Sequence, residues 1–264
     1  MNKSSTTRPV AIVTGAARGI GRGCALAFAK SGFDLLINDK CGADDIALLE
    51  NLSAELKDLG ADSLIFPADV SELERHKPML DAVLDRWGRV DCLLNNAGVT
   101  VLHRGDMLEA TPESFDYCIG VNTRAVFFLS QTVANHMLSQ GEIDGQHRSI
   151  VIITSCNVKV LSLPRAEYCI SKAASSMTTQ LLGLRLANEG IGVYEIRPGI
   201  IESEMTRPVK AKYDKFIGEG GVPNQRWGTP VDIASTVISM AEGRLIYTVG
   251  QAVTIDGGLT KRHF

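Results

Sequence analysis

Seven short apolar runs punctuate this chain: Val10–Thr14, Asp34–Asn38, Ser63–Pro67, Asp91–Asn95, Ser149–Thr154, Gly192–Arg197 and Ala252–Asp256. Most lack polar alternation, the pattern of strands covered on both faces rather than half exposed. Longer helical segments separate them, and regular alternation of strand and helix builds a parallel sheet flanked by helices. The expectation is an α/β fold, a doubly wound parallel sheet of about seven strands in three α/β/α layers. The 264 residues suffice for one such domain. No repeat, low-complexity stretch or linker divides them. A single domain over 1–264 follows, with 1–8 as a flexible tail.

Local signals mark helix starts. Ser71 with Glu74 reads as a capping box, and Thr111-Pro112 and Thr229-Pro230 each set a capping hydroxyl before a proline. Two segments read as irregular. Ser139–Arg148 is polar and expected to be exposed. Ser203–Gly228 carries Pro208, Gly218, Gly220, Gly221 and Pro223, a composition suited to a mobile substrate lid at 203–228.

Composition excludes several classes. A net charge of −3 provides no basic field for nucleic acid and no polybasic membrane patch. No apolar run is long enough to span a bilayer, and Met1–Arg8 has no apolar core of a secretory signal. A cytoplasmic protein is expected. Cys24, Cys41, Cys92, Cys118, Cys156 and Cys169 form no C-x-x-C pair, and His76, His103, His136, His147 and His263 are scattered. Reduced, packed thiols and no metal site are the expectation.

Directly after the first apolar run stands Thr14-Gly15-Ala16-Ala17-Arg18-Gly19-Ile20-Gly21, then a helical pattern. Glycines there let the backbone turn sharply and approach a pyrophosphate, which the following helix N-terminus favours. The spacing is G-x-x-x-G-x-G rather than G-x-G-x-x-G, still a Rossmann-type context. Gly15, Arg18, Gly19, Ile20 and Gly21 are the candidate contacts. Asp39 ends the second run, 24 residues after Gly15 (39 − 15), where a carboxylate binds ribose hydroxyls and repels a 2′-phosphate. NAD is expected over NADP, although Arg18 and Lys40 are cations able to hold such a phosphate.

Further along, Tyr168 and Lys172 stand at i and i+4 of a helical pattern and leave one face. A phenol titrating near 10 is a poor base. A nearby ammonium and a cationic nicotinamide would bring it down. Ser155 lies 13 residues before the tyrosine (168 − 155), and its hydroxyl could stabilise charge on a substrate oxygen. With Ala68-Asp69-Val70, Asn95-Asn96-Ala97-Gly98, Asn122 and Pro198-Gly199 in order, the chain resembles the short-chain dehydrogenase/reductase family from about Pro9 to Leu259. Among its members it is most similar to 3-oxoacyl-(acyl-carrier-protein) reductases.

The resemblance implies an NAD(P)-dependent oxidoreductase acting on CH–OH groups, without a metal. Asn122, Ser155, Tyr168 and Lys172 would be catalytic, with Asn122 holding a water that links Lys172 to solvent. Lys172 would also hold the nicotinamide ribose. Asp69, Val70, Asn96, Ala97, Gly98, Pro198, Gly199, Ile201 and Ser203 would line the dinucleotide together with Tyr168. The family's usual pairing of helices implies a homotetramer, and Ala125-Val126-Phe127-Phe128-Leu129 is more apolar than one buried face requires. The expected substrate is a small secondary alcohol or ketone, such as a polyol or hydroxy acid, with a pocket drawn from Gly98–Asp106, Cys156–Arg165 and the lid. Lys159, Arg165 and Glu167 are its expected charged groups. The alternatives are a 3-oxoacyl-(acyl-carrier-protein) reductase and, more remotely, an inactive dinucleotide sensor. Carrier docking would need basic patches, and the two places expected to hold them read Ser139–Asp144, followed by His147 and Arg148, and Asn188-Glu189-Gly190.

Overall fold

The computed structural model describes residues 8–40, 42–140 and 145–261. Cys41, His263, most of the expected tail and the acidic Gly141–Asp144 fall outside the described residues. Seven parallel strands form one sheet: β1 (Val10–Thr14), β2 (Asp34–Asp39), β3 (Ser63–Pro67), β4 (Cys92–Asn95), β5 (Arg148–Ile153), β6 (Ile191–Pro198) and β7 (Ala252–Ile255). Their order is β3-β2-β1-β4-β5-β6-β7, so the winding reverses between β1 and β4. Val13 pairs with Ile37 on one side and Leu94 on the other. All seven strands match the sequence reading to within about a residue at each end.

Helices are α1 (Gly19–Lys30), α2 (Ala43–Asp58), α3 (His76–Trp87), α4 (Pro112–Ile119), α5 (Val126–Gln140), α6 (Ala166–Leu186), α7 (Lys210–Gly218) and α8 (Pro230–Ala241). Each strand serves two cores, because successive side chains leave opposite faces. Ala11, Val13, Leu35 and Ile37 pack with Phe28 of α1, Leu52 of α2 and Val237 of α8. Val10, Ile12 and Leu36 pack with Val83 of α3, Val133 of α5 and Leu186 of α6. At the base of the sheet Arg89 and Asp91 form a buried ion pair at 2.6 Å, and Asp91 Oδ2 also accepts the Val10 N–H at 2.8 Å. That junction ties β1 to β4 beneath the switch point.

Thr111 caps α4, and Thr229 caps α8 in a full capping box with Asp232. The third expected cap is absent. Ser71 instead donates its hydroxyl to Asp69 Oδ1 at 2.7 Å, and its N–H reaches the same oxygen at 2.9 Å. A 3₁₀ turn, Leu73–Arg75, then precedes α3. The carboxylate two residues earlier outcompetes the helix for the serine. Segment 203–228 is also less irregular than its composition suggests, since it contains a 3₁₀ turn (Arg207–Val209) and α7. Nor is 139–148 simply an exposed loop. Arg148 is buried on β5, donating to the carbonyls of Met137 and Glu189 at 2.5 and 2.7 Å.

Candidate active site

The C-terminal strand ends around the β1/β4 switch point open into a cavity of about 790 Å³. Gly15, Arg18, Asp39 and Asp69 wall one end, and Ser155, Tyr168 and Lys172 the other.

The first end is a cradle built by the glycine turn. Gly15 and Gly19 hold φ of 64° and 55°, the left-handed region that a Cβ disfavours. A Cβ on Gly21 would lie 2.0 Å from the Gly15 carbonyl oxygen. Gly21 therefore packs the start of α1 against the turn, and it is not among the residues lining the cavity. Arg18 precedes α1 in extended conformation and no side chain caps the helix, leaving its first N–H groups for an anion. From β4, Asn96 Nδ2 donates to the carbonyls of Thr14 and Gly15, each at 2.9 Å. Thr14 Oγ1 accepts the N–H groups of Asn96 and Ala97, both at 3.0 Å. The motifs after β1 and β4 thus form one rigid floor.

Asp39 is fixed by backbone, accepting the Ala17 N–H on Oδ2 and the Lys40 N–H on Oδ1, both at 2.9 Å. The two nearby cations are already engaged. Arg18 pairs with Asp45 of α2, and Lys40 Nζ lies 3.0 Å from Asp69 Oδ2. Burial alone would raise the Asp69 carboxyl and lower the Lys40 ammonium. The Ser71 hydrogen bonds and the pair itself outweigh it, holding Asp69 below and Lys40 above their ordinary ranges.

At the other end, Ser155 follows β5 in extended conformation and its Oγ accepts the Asn157 N–H at 3.1 Å. Tyr168 lies in the first turn of α6, packed with Val101 and Cys118. Lys172 sits one turn on, its Nζ donating to the Ile153 carbonyl at 3.1 Å and standing 5.9 Å from the Tyr168 ring centroid. Burial lowers Lys172 to about 8, a fall that Cys118 and Glu195 oppose. Burial also pushes the Tyr168 phenol above its ordinary value, against a hydrogen bond to Ser155 and the nearby Arg165 charge. The expected depression of the phenol by Lys172 is therefore not a property of the protein alone, because desolvation dominates both groups.

Asn122 lies in a π-helical turn, Gly120–Ala125, between α4 and α5. Its side chain is fully used: Oδ1 accepts the Val99 N–H at 2.9 Å, and Nδ2 donates to the Val99 carbonyl at 3.0 Å and to Ser171 Oγ at 2.9 Å. Its own carbonyl accepts Ser175 Oγ–H. Asn122 is fully buried behind the cavity wall. A Cβ on Gly98 would come 3.2 Å from both Asn122 Oδ1 and Lys172 Nζ, which makes Gly98 the spacer between them.

Ile20, Val70, Ala97, Gly98, Pro198, Gly199, Ile201 and Ser203 all line the cavity. Of the charged groups expected in the pocket, only Arg165 lines it. Lys159 is exposed elsewhere, and Glu167 is buried, accepting Ser114 Oγ–H at 2.8 Å. Sequence reading missed Glu195, buried behind Lys172. It receives Thr154 Oγ–H at 2.6 Å and Ser176 Oγ–H at 2.8 Å and pairs with Arg197 at 2.6 Å. A charge inside the apolar β6 run was its one signal. Among the described residues no three His, Cys, Asp or Glu side chains converge as metal ligands, and no helix is long and apolar enough to cross a membrane.

Fold and site together define a dinucleotide-binding α/β enzyme of the hydride-transfer class. A profile of the family described as Enoyl-(Acyl carrier protein) reductase matches residues 15–260. The chain is 33% identical to the 3-oxoacyl-[acyl-carrier-protein] reductase FabG of Staphylococcus epidermidis over 260 residues, 98% of this chain and 99% of the relative. The 2-dehydro-3-deoxy-D-gluconate 5-dehydrogenase of Dickeya dadantii is 30% identical over 264 residues, 99% of each. The crystal structure of 3-oxoacyl-[acyl-carrier protein] reductase from Brucella melitensis in complex with NAD superposes with a TM-score of 0.93 at 43% identity, covering 98% of this chain and 100% of that one. The chain belongs to the short-chain dehydrogenase/reductase family. It is an NAD(P)-dependent oxidoreductase acting on hydroxyl or keto groups.

Proposed function

We propose that the protein interconverts a small, free secondary alcohol and its ketone using NAD, with Tyr168 moving the proton. The observation that carries this reading is the convergence of Ser155, Tyr168 and Lys172 on the cavity whose far end holds the glycine cradle and Asp39. The dinucleotide fits that cradle: its pyrophosphate at Gly15, Arg18, Gly19 and Ile20, its adenosine ribose at Asp39, its adenine by Asp69 and Val70. Asn96, Ala97, Gly98, Pro198, Gly199, Ile201 and Ser203 complete the wall, with Tyr168 and Lys172 toward the nicotinamide. When bound, the nicotinamide would supply the hydride chemistry that these residues serve. Ser155 Oγ hydrogen-bonds the substrate oxygen, and the Tyr168 hydroxyl gives or takes its proton. Lys172, held near 8 by burial, exchanges a proton in the working range and steadies charge on the phenol. Asn122 is a positioning residue that fixes Val99 and Ser171 around them.

NAD is favoured because Asp39 is rigidly held while Arg18 and Lys40 are neutralised by Asp45 and Asp69. A 2′-phosphate would meet a carboxylate and no uncommitted cation. Exposed apolar residues on α5 (Phe127, Phe128) and α6 (Met177, Leu181, Leu184) support a homotetramer. Segment 203–228 would serve as the lid of a single-domain, cytoplasmic enzyme. A second reading, reduction of a 3-oxoacyl chain on an acyl carrier, is favoured by the names of the relatives. Against it, Arg148 is buried, His147 is half-buried against Tyr194, and Arg185 is paired with Glu189. None of these is a free surface cation for an acidic carrier.

The test is Tyr168→Phe, assayed by nicotinamide absorbance across a panel of alcohols and ketones. Turnover should vanish while NADH affinity is retained. More than a few per cent residual activity would remove the phenol from its role. Salt-sensitive turnover confined to a carrier-bound 3-oxoacyl chain would establish the second reading.

A further inference from the structure

Three residues before Tyr168, at the junction of the 3₁₀ turn Leu163–Arg165 and α6, the Arg165 guanidinium lies 5.3 Å from the phenol ring centroid. Its Nε–H donates to Ser162 Oγ at 3.3 Å and its Nη2–H to Asn157 Oδ1 at 3.1 Å. Both partners are neutral. A guanidinium has five donors, and its others have no partner among the described residues. The same cavity is lined by Asp39, Asp45, Asp69 and Glu204, and none of them reaches Arg165. Asp39 is held by backbone, Asp45 by Arg18, Asp69 by Lys40, and Glu204 by Arg207. Arg104 and Lys212, both exposed, add two further cations to the wall. Sixteen of the cavity's lining residues are assigned to the cofactor, but a half-buried, oriented and uncompensated fork beside the Tyr168 ring is not among them.

Resting on the oxidoreductase reading above, we propose that Arg165 is the substrate's anion-binding residue and that the substrate is a short hydroxy or oxo acid. Its carboxylate lies close to the reacting carbon and meets the guanidinium in bidentate fashion. Ser162 and Asn157 hold the fork in place, so little side-chain freedom is lost on binding. Ser155 and Tyr168 then take the hydroxyl or keto oxygen at the other side of the same small molecule. A carrier-linked thioester has no such carboxylate, so this site also separates the chain's chemistry from the second reading.

The experiment compares matched acids and neutral analogues: lactate, glycerate, 3-hydroxybutyrate and gluconate against their amides or methyl esters, and pyruvate and acetoacetate against theirs. Turnover is measured with saturating cofactor, and binding by calorimetry on the NADH-loaded protein, in wild type, Arg165→Gln and Arg165→Lys. At least one wild-type acid should bind more tightly than its neutral analogue by about 10- to 100-fold, the range of hydrogen bonds to charged groups. In Arg165→Gln that ratio should collapse through KM and Kd, and Arg165→Lys should restore part of it. An equal loss for acids and neutral analogues would make Arg165 a tuner of Tyr168 instead and overturn the proposal, as would wild-type indifference to substrate charge. Turnover of neutral alcohols without preference for acids overturns the anion site while leaving the oxidoreductase reading intact. Charge-selective binding without any turnover does the reverse.

Discussion

Replacing Asp39 with alanine removes the carboxylate that the Ala17 and Lys40 N–H groups hold at the end of β2. A carboxylate and a phosphate dianion about 5 Å apart, at an effective dielectric constant of about 40, repel by about 3 kcal/mol. That is a factor of about 100 in the ratio of kcat/KM for NAD to that for NADP. The variant also loses a ribose hydrogen bond, so kcat/KM with NAD should fall about tenfold. The orphaned Ala17 N–H should cost about 1 kcal/mol of stability, or about 2–4 °C in Tm. Preference should approach parity without reversing, because Arg18 stays on Asp45 and Lys40 on Asp69. Adding Asp45→Asn frees Arg18, and the double variant should favour NADP. Initial rates against each cofactor at fixed substrate measure the ratio. A wild-type preference for NADP, or a ratio unmoved by Asp39→Ala, would refute the electrostatic argument.

Lys172→Met should stabilise the fold at pH 7 by on the order of 1–2 kcal/mol, after the Ile153 carbonyl loses its donor. The sign follows from burial: the folded lysine titrates at about 8 and the unfolded one at 10.5, so the unfolded state binds the proton more tightly between them. The penalty is complete below pH 8 and fades toward 10.5, and urea midpoints of the two proteins should converge over that window. Gly21→Ala forces a methyl 2.0 Å from the Gly15 oxygen and should lower Tm by several degrees, whereas Gly120→Ala, with nothing within 4 Å, should not. Light scattering at micromolar concentration should give a tetramer or at least a dimer, and a monomer would remove the role assigned to the exposed faces of α5 and α6.

Why the sheet was legible and parts of the site were not follows from distance along the chain. Strands buried on both faces write their apolar content into consecutive residues, so Val10–Thr14 was readable end to end, and the half-buried edge strand Ser63–Pro67 still carries an apolar run. The Thr111 and Thr229 caps act over three residues. By contrast, Arg18 meets Asp45 and Lys40 meets Asp69 only because the sheet stacks β1, β2 and β3 side by side. No local pattern announces such partners. Arg148 misled for a related reason: a cation beginning a strand reads as surface until two carbonyls from α5 and the α6–β6 turn close over it. Helix α7 was hidden because Pro208 and a glycine cluster flank a short stretch that makes only two turns.

The π turn at Gly120–Ala125 has a consequence for insertions and deletions. A π turn holds an extra residue compared with an unbroken α-helix, so losing any one residue from it would let α4 run straight into α5. Each residue in an α-helix turns the chain by about 100°. Removing one would therefore either unwind the turn and release the Asn122 contacts to Val99, or swing the face bearing Phe127 and Phe128 by about that angle relative to the site. In a lineage of such chains, the length of this segment would then be held more strictly than its amino acids, since a substitution alters one contact whereas a deletion shifts the phase of a whole helix.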